Sequence, residues 1–478
     1  MKTVENLLEK SISKIPKSKK VALLFSGGID SLMLAYYLKK LNYNFTCYTA
    51  AYENSEDLKY AKETAKLLNL KHKFKIVGLK QIPKYLEKIV PLVQEPLPIN
   101  APIALTIYVA SELAKKDKQT LVISGLGSDE IFGGYFRHKS SKNLNKDLKE
   151  QLQNAFTNDL PRDIAITRLL KLKIVAPFLE KELIDYALKI PAENKIKNNI
   201  NKLILRELAL KNGIPEKYAF RPKKAAQYGS KFDKAIEKLA KNKTKTEYLK
   251  NFIKLGVLFS SGKDSCYSAY LMQQQGYTLS CLITIKSKNL DSFMFHTPNI
   301  NLTKLQAQAI QLPLLTQITT GKKESELKDL EKVLRLAKNK YNVHGITTGA
   351  LFSKYQSERI EKIAKKLNLK VFSPLWHKDQ EQELHELLKN KFEFIISSIA
   401  ADGLTKEWLG KQITEKEIKQ LVELNKKNRL NIAGEGGEYE SLVLHCPLFK
   451  KRLNILDAEI KMENSYTGKY LIKKAKLI

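Results

Sequence analysis

Two short segments of similar composition carry the strongest chemical signal in this sequence. SGGIDS occupies residues 26–31 and SSGKDS occupies residues 260–265, and we refer to them as loop 1 and loop 2. A loop that opens a helix presents backbone N–H groups and the positive end of the helix dipole, which together attract anions. Serine hydroxyls add donors, and the aspartate of each segment can hold Mg²⁺ or orient the loop. We therefore predict that both loops bind phosphate groups.

The glycine spacing distinguishes the two loops from other phosphate-binding motifs. Neither segment has the lysine-terminated motif of kinases and GTPases or the three-glycine motif of dinucleotide-binding folds. Ser261 stands where loop 1 has Gly27, and because serine disfavours positive φ, we expect loop 2 to be slightly remodelled. The predicted phosphate-binding residues are Ser26, Gly27, Gly28, Asp30, Ser31, Ser260, Ser261, Gly262, Lys263, Asp264 and Ser265, with Asp30 and Asp264 as metal ligands.

Apolar, strand-like runs lead into both loops, and helical patterns follow them. Further apolar runs alternate with helices of 10–15 residues, which is typical of parallel β-sheets in an open α/β fold. Ligands of such sheets bind at the carboxyl ends of the strands, where both loops lie. The predicted strands are 21–25, 44–52, 120–125, 256–259, 279–285, 345–351, 369–375 and 393–400.

Composition bounds the class of protein. The chain has 478 residues, 43% of them hydrophobic, and 83 basic against 50 acidic side chains give a net charge of +33. This length predicts two or more domains. Its four cysteines form no C-x-x-C pair, so we expect neither a disulfide framework nor a cysteine metal site. We therefore expect a reduced, cytoplasmic setting, without secretion or membrane insertion. The charge permits binding to nucleic acid but does not require it.

The repetition of the loops and a run of basic residues between 221 and 254 predict the domain boundary. We place a first domain at residues 1–245 and a second at 252–478. Within the second domain, residues 252–372 are expected to bind the nucleotide, and residues 373–478 to form a smaller α/β substrate subdomain.

Both loops resemble the pyrophosphate loop of the N-type ATP pyrophosphatases. That resemblance implies tandem Rossmann-like domains of the adenine nucleotide alpha hydrolase type. It also implies that ATP is attacked at its α-phosphate with Mg²⁺ present, so that pyrophosphate leaves and an adenylate forms.

The first half further resembles the synthetase domain of asparagine synthetases. The matching segments are SGLGSDEIFGGYFRHK (124–139), APFLEKELIDYAL (176–188), NKLILREL (201–208) and RPKKAAQYGS (221–230). The resemblance implies that Ser124, Gly125 and Asp129 contribute to the ATP site, with Asp129 as a metal ligand. It also implies that Lys223 neutralises phosphate charge and that Glu95 is a candidate base for ammonia.

Two departures leave the activity of the first half open. Only 25 residues precede Ser26 and position 2 is Lys, so we expect no glutaminase; Leu126 stands where asparagine synthetases have Glu. The first half is either an active amidating or adenylating module, including asparagine synthesis from free ammonia, or a nucleotide-binding module with a structural, regulatory or docking role.

The second half resembles the diphthine-ammonia ligase family. The matching segments are 258–272, MFHTPNI (294–300), 349–369, SPLW (373–376), AADGLTKEWLG (400–410) and GEGGEYESLVLHCPLF (434–449). The resemblance implies adenylation of the diphthine carboxylate on translation elongation factor 2, followed by amidation with ammonium and release of AMP and pyrophosphate.

The segment GEGGEYES supplies acids that suit ammonium capture or, with Tyr439, recognition of the trimethylammonium group of diphthine. The predicted catalytic residues are Asp264, Glu435, Glu438, Glu440 and Lys223, and the predicted substrate contacts are His296, Tyr355, Gln356, Arg359, Tyr439 and Glu95. The alternative function is an adenylating enzyme that modifies tRNA. A tRNA thiolase is disfavoured because Cys446 lies in an apolar stretch, which predicts a buried structural thiol.

Overall fold

The computed structural model describes residues 1–222, 224–288, 299–321, 323–350 and 354–478, and it gives no side-chain detail for 323–325 and 354–356. The chain divides into two compact units, Met1–Leu249 and Lys250–Ile478. We call them unit 1 and unit 2 and describe each by itself.

Unit 1 is built on a parallel sheet of five short, apolar strands in the order β3-β2-β1-β4-β5. The chain proceeds outward from β1 to β3 and then returns to the other side of β1, so the strand order reverses between β1 and β4. Loop 1 follows β1 at this reversal, which is where open α/β sheets bind ligands. The strands are β1 (Val21–Leu24), β2 (Phe45–Ala51), β3 (His72–Ile76), β4 (Leu121–Ile123) and β5 (Lys173–Val175), with a hairpin of β6 (Ile196–Lys197) and β7 (Ile200–Asn201).

Helices pack on this sheet and bury its apolar side chains. The helix after loop 1 buries eight of its twelve residues. The helix Leu97–Lys116 is long and apolar enough to cross a membrane by length and composition, but 61% of its apolar window is buried, as in a core helix. The helices of unit 1 are α1 (Lys2–Ser13), α2 (Ile29–Lys40), α3 (Glu56–Leu67), α4 (Ile82–Ile89), α5 (Leu97–Lys116), α6 (Ser128–Phe132), α7 (Leu144–Asn154), α8 (Leu160–Arg168), α9 (Lys181–Ala187), α10 (Ala192–Lys195), α11 (Leu203–Lys211), α12 (Glu216–Ala219), α13 (Ala226–Gly229), α14 (Phe232–Ala240) and α15 (Lys245–Lys250).

Unit 2 repeats the same parallel topology in the order β10-β9-β8-β11-β12, and loop 2 follows its central strand β8. The predicted α/β class with two parallel sheets is therefore confirmed. These strands are β8 (Lys254–Leu258), β9 (Thr278–Ser287), β10 (Leu314–Thr319), β11 (Gly345–Thr347) and β12 (Lys370–Phe372). The helices are α16 (Lys263–Gln274), α17 (Thr303–Ile310), α18 (Lys323–Tyr341), α19 (Lys354–Lys366), α20 (Gln380–Lys389) and α21 (Glu415–Asn428).

The C-terminal part of unit 2 corrects one prediction. The run 393–400 is a strand, but it belongs to a separate antiparallel sheet of order β14-β13-β16-β15 rather than to a parallel one. Periodicity reveals a buried strand without revealing the direction of its partners. The strands are β13 (Glu393–Ala400), β14 (Tyr439–His445), β15 (Leu453–Met462) and β16 (Thr467–Leu477).

Candidate functional site

Loop 1 is held open by its own serines. The Ser31 hydroxyl accepts from the Ser26 N–H (3.3 Å) and donates to the Gly28 carbonyl (3.1 Å). Gly27 has φ +68°, and a Cβ there would lie 2.6 Å from the backbone carbon of Tyr60. Because that neighbour is backbone, loop 1 needs glycine at this position both for its conformation and for space.

Loop 2 has the same internal hydrogen bonds. The Ser265 hydroxyl accepts from the Ser260 N–H (3.3 Å) and donates to the Gly262 carbonyl (3.0 Å). Ser261 has φ +77°, close to the value of Gly27, and is fully buried. The remodelling expected from a serine at this position therefore does not occur, and loop 2 keeps the left-handed conformation.

Strand β14 supports loop 2 from the C-terminal part of the unit. The Ser441 hydroxyl accepts from the Lys263 N–H (3.0 Å), and the Val443 N–H donates to the Ser261 carbonyl (3.1 Å). The Gln306 amide donates to the carbonyls of Ser261 (3.2 Å) and Val443 (2.8 Å). These bonds fix the backbone around the left-handed Ser261, and they join the GEGGEYES segment, which runs into β14, to the loop.

In unit 1, a buried lysine connects the two predicted metal ligands. The Lys202 ammonium, 1% exposed, lies 2.5 Å from Asp30 Oδ1 and 2.6 Å from Asp129 Oδ1. Burial alone would lower the pKa of Lys202, but Asp129 and Asp30 outweigh it and raise that pKa. The Ser128 hydroxyl also donates to Asp30 Oδ1 (2.6 Å). Lys202 was not singled out from the sequence, although it lies in the NKLILREL segment that matched a known family.

A cavity of about 700 Å³ opens beside loop 1. Its wall brings together residues from several predicted segments, whereas Gly27 and Gly28 support the loop without lining the cavity. The Glu95 carboxylate accepts from the Leu97 N–H (2.9 Å) at the start of α5. The predicted residues in the wall are Ser26, Asp30, Ser31, Glu95, Ser124, Gly125 and Asp129.

Arg221 is a second supporting cation of unit 1 that sequence reasoning missed. Its guanidinium donates to the Ser26 carbonyl (2.8 Å) and to the Asp57 carboxylate (2.6 Å), and it lies 4.1 Å from the Tyr60 ring centroid. Burial raises the pKa of Asp57 to about 6 against the opposing effect of Arg221. Lys223, predicted to meet the phosphates, lies outside the described residues.

In unit 2, the lysine of loop 2 is turned toward acids. Lys263 is 1% exposed, and its ammonium contacts the Asp264 carboxylate and lies 3.7 Å from Glu383 Oε1. Burial alone would lower the pKa of Lys263, but Asp264 and Glu383 raise it. Since its backbone N–H also donates to Ser441, Lys263 supports the loop, and its contact with phosphate stays a prediction.

Glu383, on α20, is the acid that sequence reasoning missed. It is fully buried, and burial, with the carboxylates of Asp264 and Glu435 nearby, raises its pKa to about 9. Neither of its oxygens accepts a hydrogen bond from a described residue. A protonated Glu383 that donates to Asp264 would account for both facts. No motif signals this role, because Glu383 lies in an ordinary amphipathic helix.

Two of the predicted acids of the GEGGEYES segment, Glu435 and Glu440, belong to the charged groups at loop 2. Burial, with Asp264 beside it, raises the pKa of Glu440 to about 7, and Glu435 adds to the effect. Glu438 is half-buried before β14. Tyr439 is 4% exposed and its hydroxyl donates to the Ile432 carbonyl (2.7 Å). The predicted cation-π contact of Tyr439 needs an accessible ring, so the structure instead gives Tyr439 a supporting role in this turn.

Comparison with known proteins assigns both halves of the chain. The asparagine synthase model matches residues 3–173 and 150–252, and the models of the diphthamide synthase N-terminal and C-terminal domains match 253–371 and 379–478. A diphthine-ammonia ligase of Bos taurus is 36% identical over 227 residues, which cover 44% of this chain and 85% of the relative. The chain belongs to the diphthine-ammonia ligase family. It is thus an ATP-dependent ligase with an asparagine synthase-like first half.

Two further relatives differ in how much of their length is matched. A diphthine-ammonia ligase of Schizosaccharomyces pombe is 36% identical over 234 residues, covering 46% of this chain and 38% of the relative. A putative asparagine synthetase [glutamine-hydrolyzing] 1 of Methanocaldococcus jannaschii is 35% identical over 260 residues, covering 46% of this chain and 48% of the relative. This family member therefore combines regions that resemble two kinds of ligase.

Only some of the remaining predicted residues of this family member lie in the part of the chain that the structure describes. His296 is outside the described residues, as are the side chains of Tyr355 and Gln356. Arg359 is partly exposed on α19. Cys446 is buried, and burial raises the pKa of its thiol to about 12, in line with the structural role expected.

The donor sets of the two loops fit Mg²⁺ only together with a nucleotide. Mg²⁺ is commonly held by one or two carboxylates plus phosphates and water. Asp30 and Asp129 share one ammonium, which places their oxygens close to each other, and Asp264 is 30% exposed at loop 2. In the described part of the chain, no group of three or more His, Cys, Asp or Glu is arranged to hold a metal alone.

Proposed function

We propose that unit 2 amidates the carboxylate of diphthine on translation elongation factor 2 with ammonium, using ATP and acting in the cytoplasm. The carrying observation is that β14 hydrogen-bonds to loop 2 through Ser441 and Val443. The acids that precede β14 are thereby brought beside a loop built for phosphate. Similarity to the diphthine-ammonia ligase of Bos taurus supports the choice of substrate.

The chemistry requires two displacements at this site. A diphthine carboxylate oxygen attacks the α-phosphorus of ATP, the bond to the β-phosphate oxygen breaks, and pyrophosphate leaves. Ammonia then attacks the acyl carbon of the adenylate, and AMP leaves with the electrons of the acyl–oxygen bond. The backbone N–H groups of loop 2 and the start of α16 would hold the phosphates and stabilise the charge that develops on them.

The acids of unit 2 have different proposed roles: one accepts a proton from ammonium, two attract ammonium, and one holds Mg²⁺. Ammonium must lose a proton before it attacks, and a carboxylate with a pKa near 7 is suited to accept it. Glu440 meets that condition, since its pKa is raised to about 7. Glu435 and Glu438 would add negative charge that attracts ammonium. Asp264 would hold Mg²⁺, which neutralises phosphate charge when bound.

For unit 1, we propose a second ATP site with an amidotransferase-like active centre. Asp30 and Asp129 at the cavity would hold Mg²⁺, and Glu95 in the same wall would be the base for an incoming amine. Leu126 also lines the cavity, so the acid that asparagine synthetases carry there is replaced by an apolar side chain. This favours a substrate other than aspartate.

A matched pair of loop variants tests the assignment. The purified chain is incubated with diphthine-form elongation factor 2, ATP and ammonium, and the mass of the elongation factor is measured by mass spectrometry. The wild type should replace a hydroxyl by an amino group on the factor and release AMP. Asp264→Ala should abolish the product, whereas Asp30→Ala should retain it. A product that depends on Asp30 and not on Asp264 would overturn the assignment to unit 2.

A further inference from the structure

Unit 1 exposes large apolar side chains around the mouth of its cavity. Phe136 is 85% exposed although both of its neighbours, Tyr135 and Arg137, line the cavity. Phe156 and Tyr228 are also exposed: Tyr228 follows the lining residue Gln227, and Phe156 lies two residues from each of the lining residues Asn154 and Asn158. Exposed aromatic side chains that gather at one opening mark an interaction surface. We call these three side chains the aromatic rim.

The stretch of chain around Phe136, residues 131–146, is strongly basic. No Asp or Glu occurs between residues 131 and 146, whereas this stretch contains Arg137, Lys139, Lys142 and Lys146. The Lys139 ammonium lies 5.4 Å from the Phe136 ring centroid, and the Arg137 guanidinium lies 5.0 Å from that of Tyr135. Basic groups beside exposed rings are the combination that binds single-stranded nucleic acid, through phosphates and stacked bases.

The cavity below the rim suits an uncharged, planar group with hydrogen-bonding edges. Its wall includes five carboxamide side chains, a group that can both donate and accept, as base recognition requires. Three of their oxygens already accept within the protein: Gln151 from Arg137, Asn154 from Asn158 and Asn100 from Arg162. One face of α5 supplies an apolar surface through Ile99, Ile103 and Ile107. The carboxamides are Asn100, Gln151, Asn154, Asn158 and Gln227.

A π-helix borders this part of the cavity. It spans Ala155–Asp159, between α7 and α8, and turns Asn158 to the cavity and Phe156 to solvent. Such single-turn insertions are rare and are found mostly at functional sites. This irregular segment thus presents one side chain of the rim, Phe156, and one carboxamide of the wall, Asn158.

We propose that the aromatic rim and basic stretch of unit 1 bind single-stranded RNA and place one base in the cavity beside loop 1. The uncharged base contacts the carboxamide side chains, and the phosphate groups of the RNA backbone contact Arg137, Lys139 and Lys142. A protein segment is the weaker alternative, because the rim offers no carboxylate between residues 131 and 146 to pair with a basic peptide. The proposal goes beyond the ligase function of unit 2 and does not depend on it. Within the cavity of unit 1, it assigns the carboxamides to the RNA base, whereas Asp30 and Asp129 stay assigned to ATP.

The test is fluorescence anisotropy of a labelled single-stranded RNA of mixed sequence, titrated with the full chain. Phe136→Ala should weaken binding at least about fivefold, since a stacked base contributes substantially to affinity. The matched control is Phe74→Ala. Phe74 is also exposed and has the Lys62 ammonium 4.1 Å from its ring centroid, but it lies on the outer strand β3 and does not line the cavity. The control should bind as the wild type does.

A second variant and a second ligand make the outcome decisive. Arg137→Gln should weaken binding and reduce its dependence on salt, because one phosphate contact is removed. Equal affinity of Phe136→Ala and Phe74→Ala would overturn the proposal. So would protection of residues 133–142 from hydrogen exchange by elongation factor 2 but not by RNA. Since no arm measures amide formation, failure of this proposal is distinct from failure of the ligase assignment.

Discussion

Loop 1 and loop 2 reach the same conformation with different residues and different supports. Gly27 and Ser261 have φ values of +68° and +77°, and the serine bonds within the two loops match. Gly27 is covered by the backbone of α3, which leaves no room for a Cβ. Ser261 has room for its Cβ, and β14 holds its carbonyl instead. A strained residue is therefore tolerated where hydrogen bonds surround it.

The loop aspartates show a similar contrast. Asp30 forms an ion pair with Lys202, which lies far away in the sequence, and the same ammonium also pairs with Asp129. Asp264 forms an ion pair with the adjacent residue Lys263, and the second acid beside this ammonium is the buried Glu383. The same arrangement of one ammonium and two acids can thus be assembled from different parts of a chain. Variants that exchange the features of the two loops test how far the likeness extends.

The largest effect is expected from Gly27→Ser, which gives loop 1 the residue of loop 2. The left-handed backbone and the close contact with Tyr60 should together lower the free energy of unfolding of unit 1 by about 3–5 kcal/mol. Both tryptophans, Trp376 and Trp408, lie in unit 2. The urea transition followed by circular dichroism should therefore move, while that followed by tryptophan fluorescence should not. A wild-type transition by both probes would show that loop 1 tolerates serine.

Lys202→Met should cost unit 1 about 3 kcal/mol, because it leaves Asp30 and Asp129 without their buried cation. Lys263→Met should cost unit 2 less, since Glu383 can stay protonated beside Asp264. Circular dichroism reports the first change and tryptophan fluorescence the second. Equal losses would mean that the two ammonium sites are energetically alike, against the difference inferred from Glu383.

Glu383→Gln should change how the stability of unit 2 depends on pH. The folded pKa of about 9 lies above the ordinary glutamate value of 4.5, so the acid stabilises the fold below pH 4.5 and this contribution is lost as the pH rises toward 9. The wild-type free energy of unfolding should fall by up to about 1.4 kcal/mol per pH unit from this group. The variant should lack that fall in urea titrations followed by tryptophan fluorescence. Parallel pH profiles would contradict a protonated Glu383.

Ser261→Gly should have the smallest effect. Relief of the left-handed conformation is offset by the greater freedom of glycine in the unfolded chain, so unit 2 should gain at most about 1 kcal/mol. Tryptophan fluorescence during urea unfolding measures the change. A loss of stability would show that the buried Ser261 hydroxyl makes a contribution of its own.

The sequence carried enough information for the parallel sheets and both loops, because local periodicity and the serine-glycine spacing encode them. It could not yield Lys202 or Glu383, since their partners are set by tertiary packing between residues far apart in the chain. The direction of β13 escaped prediction for the same reason. The burial of Tyr439 and Lys263 could not be predicted either, because it depends on neighbours that no motif specifies.

The hydrogen bonds from β14 to loop 2 bear on how unit 2 can be divided. Two family models meet between residues 371 and 379, as if a nucleotide module ended and a second module began. Yet Val443 and Ser441, from the second region, complete the backbone around Ser261 and Lys263 in the first. A fragment that ends at residue 371 would lack the hydrogen bonds of Ser441 and Val443 to loop 2. The boundary visible in the sequence is therefore not one at which unit 2 can be divided into two intact parts.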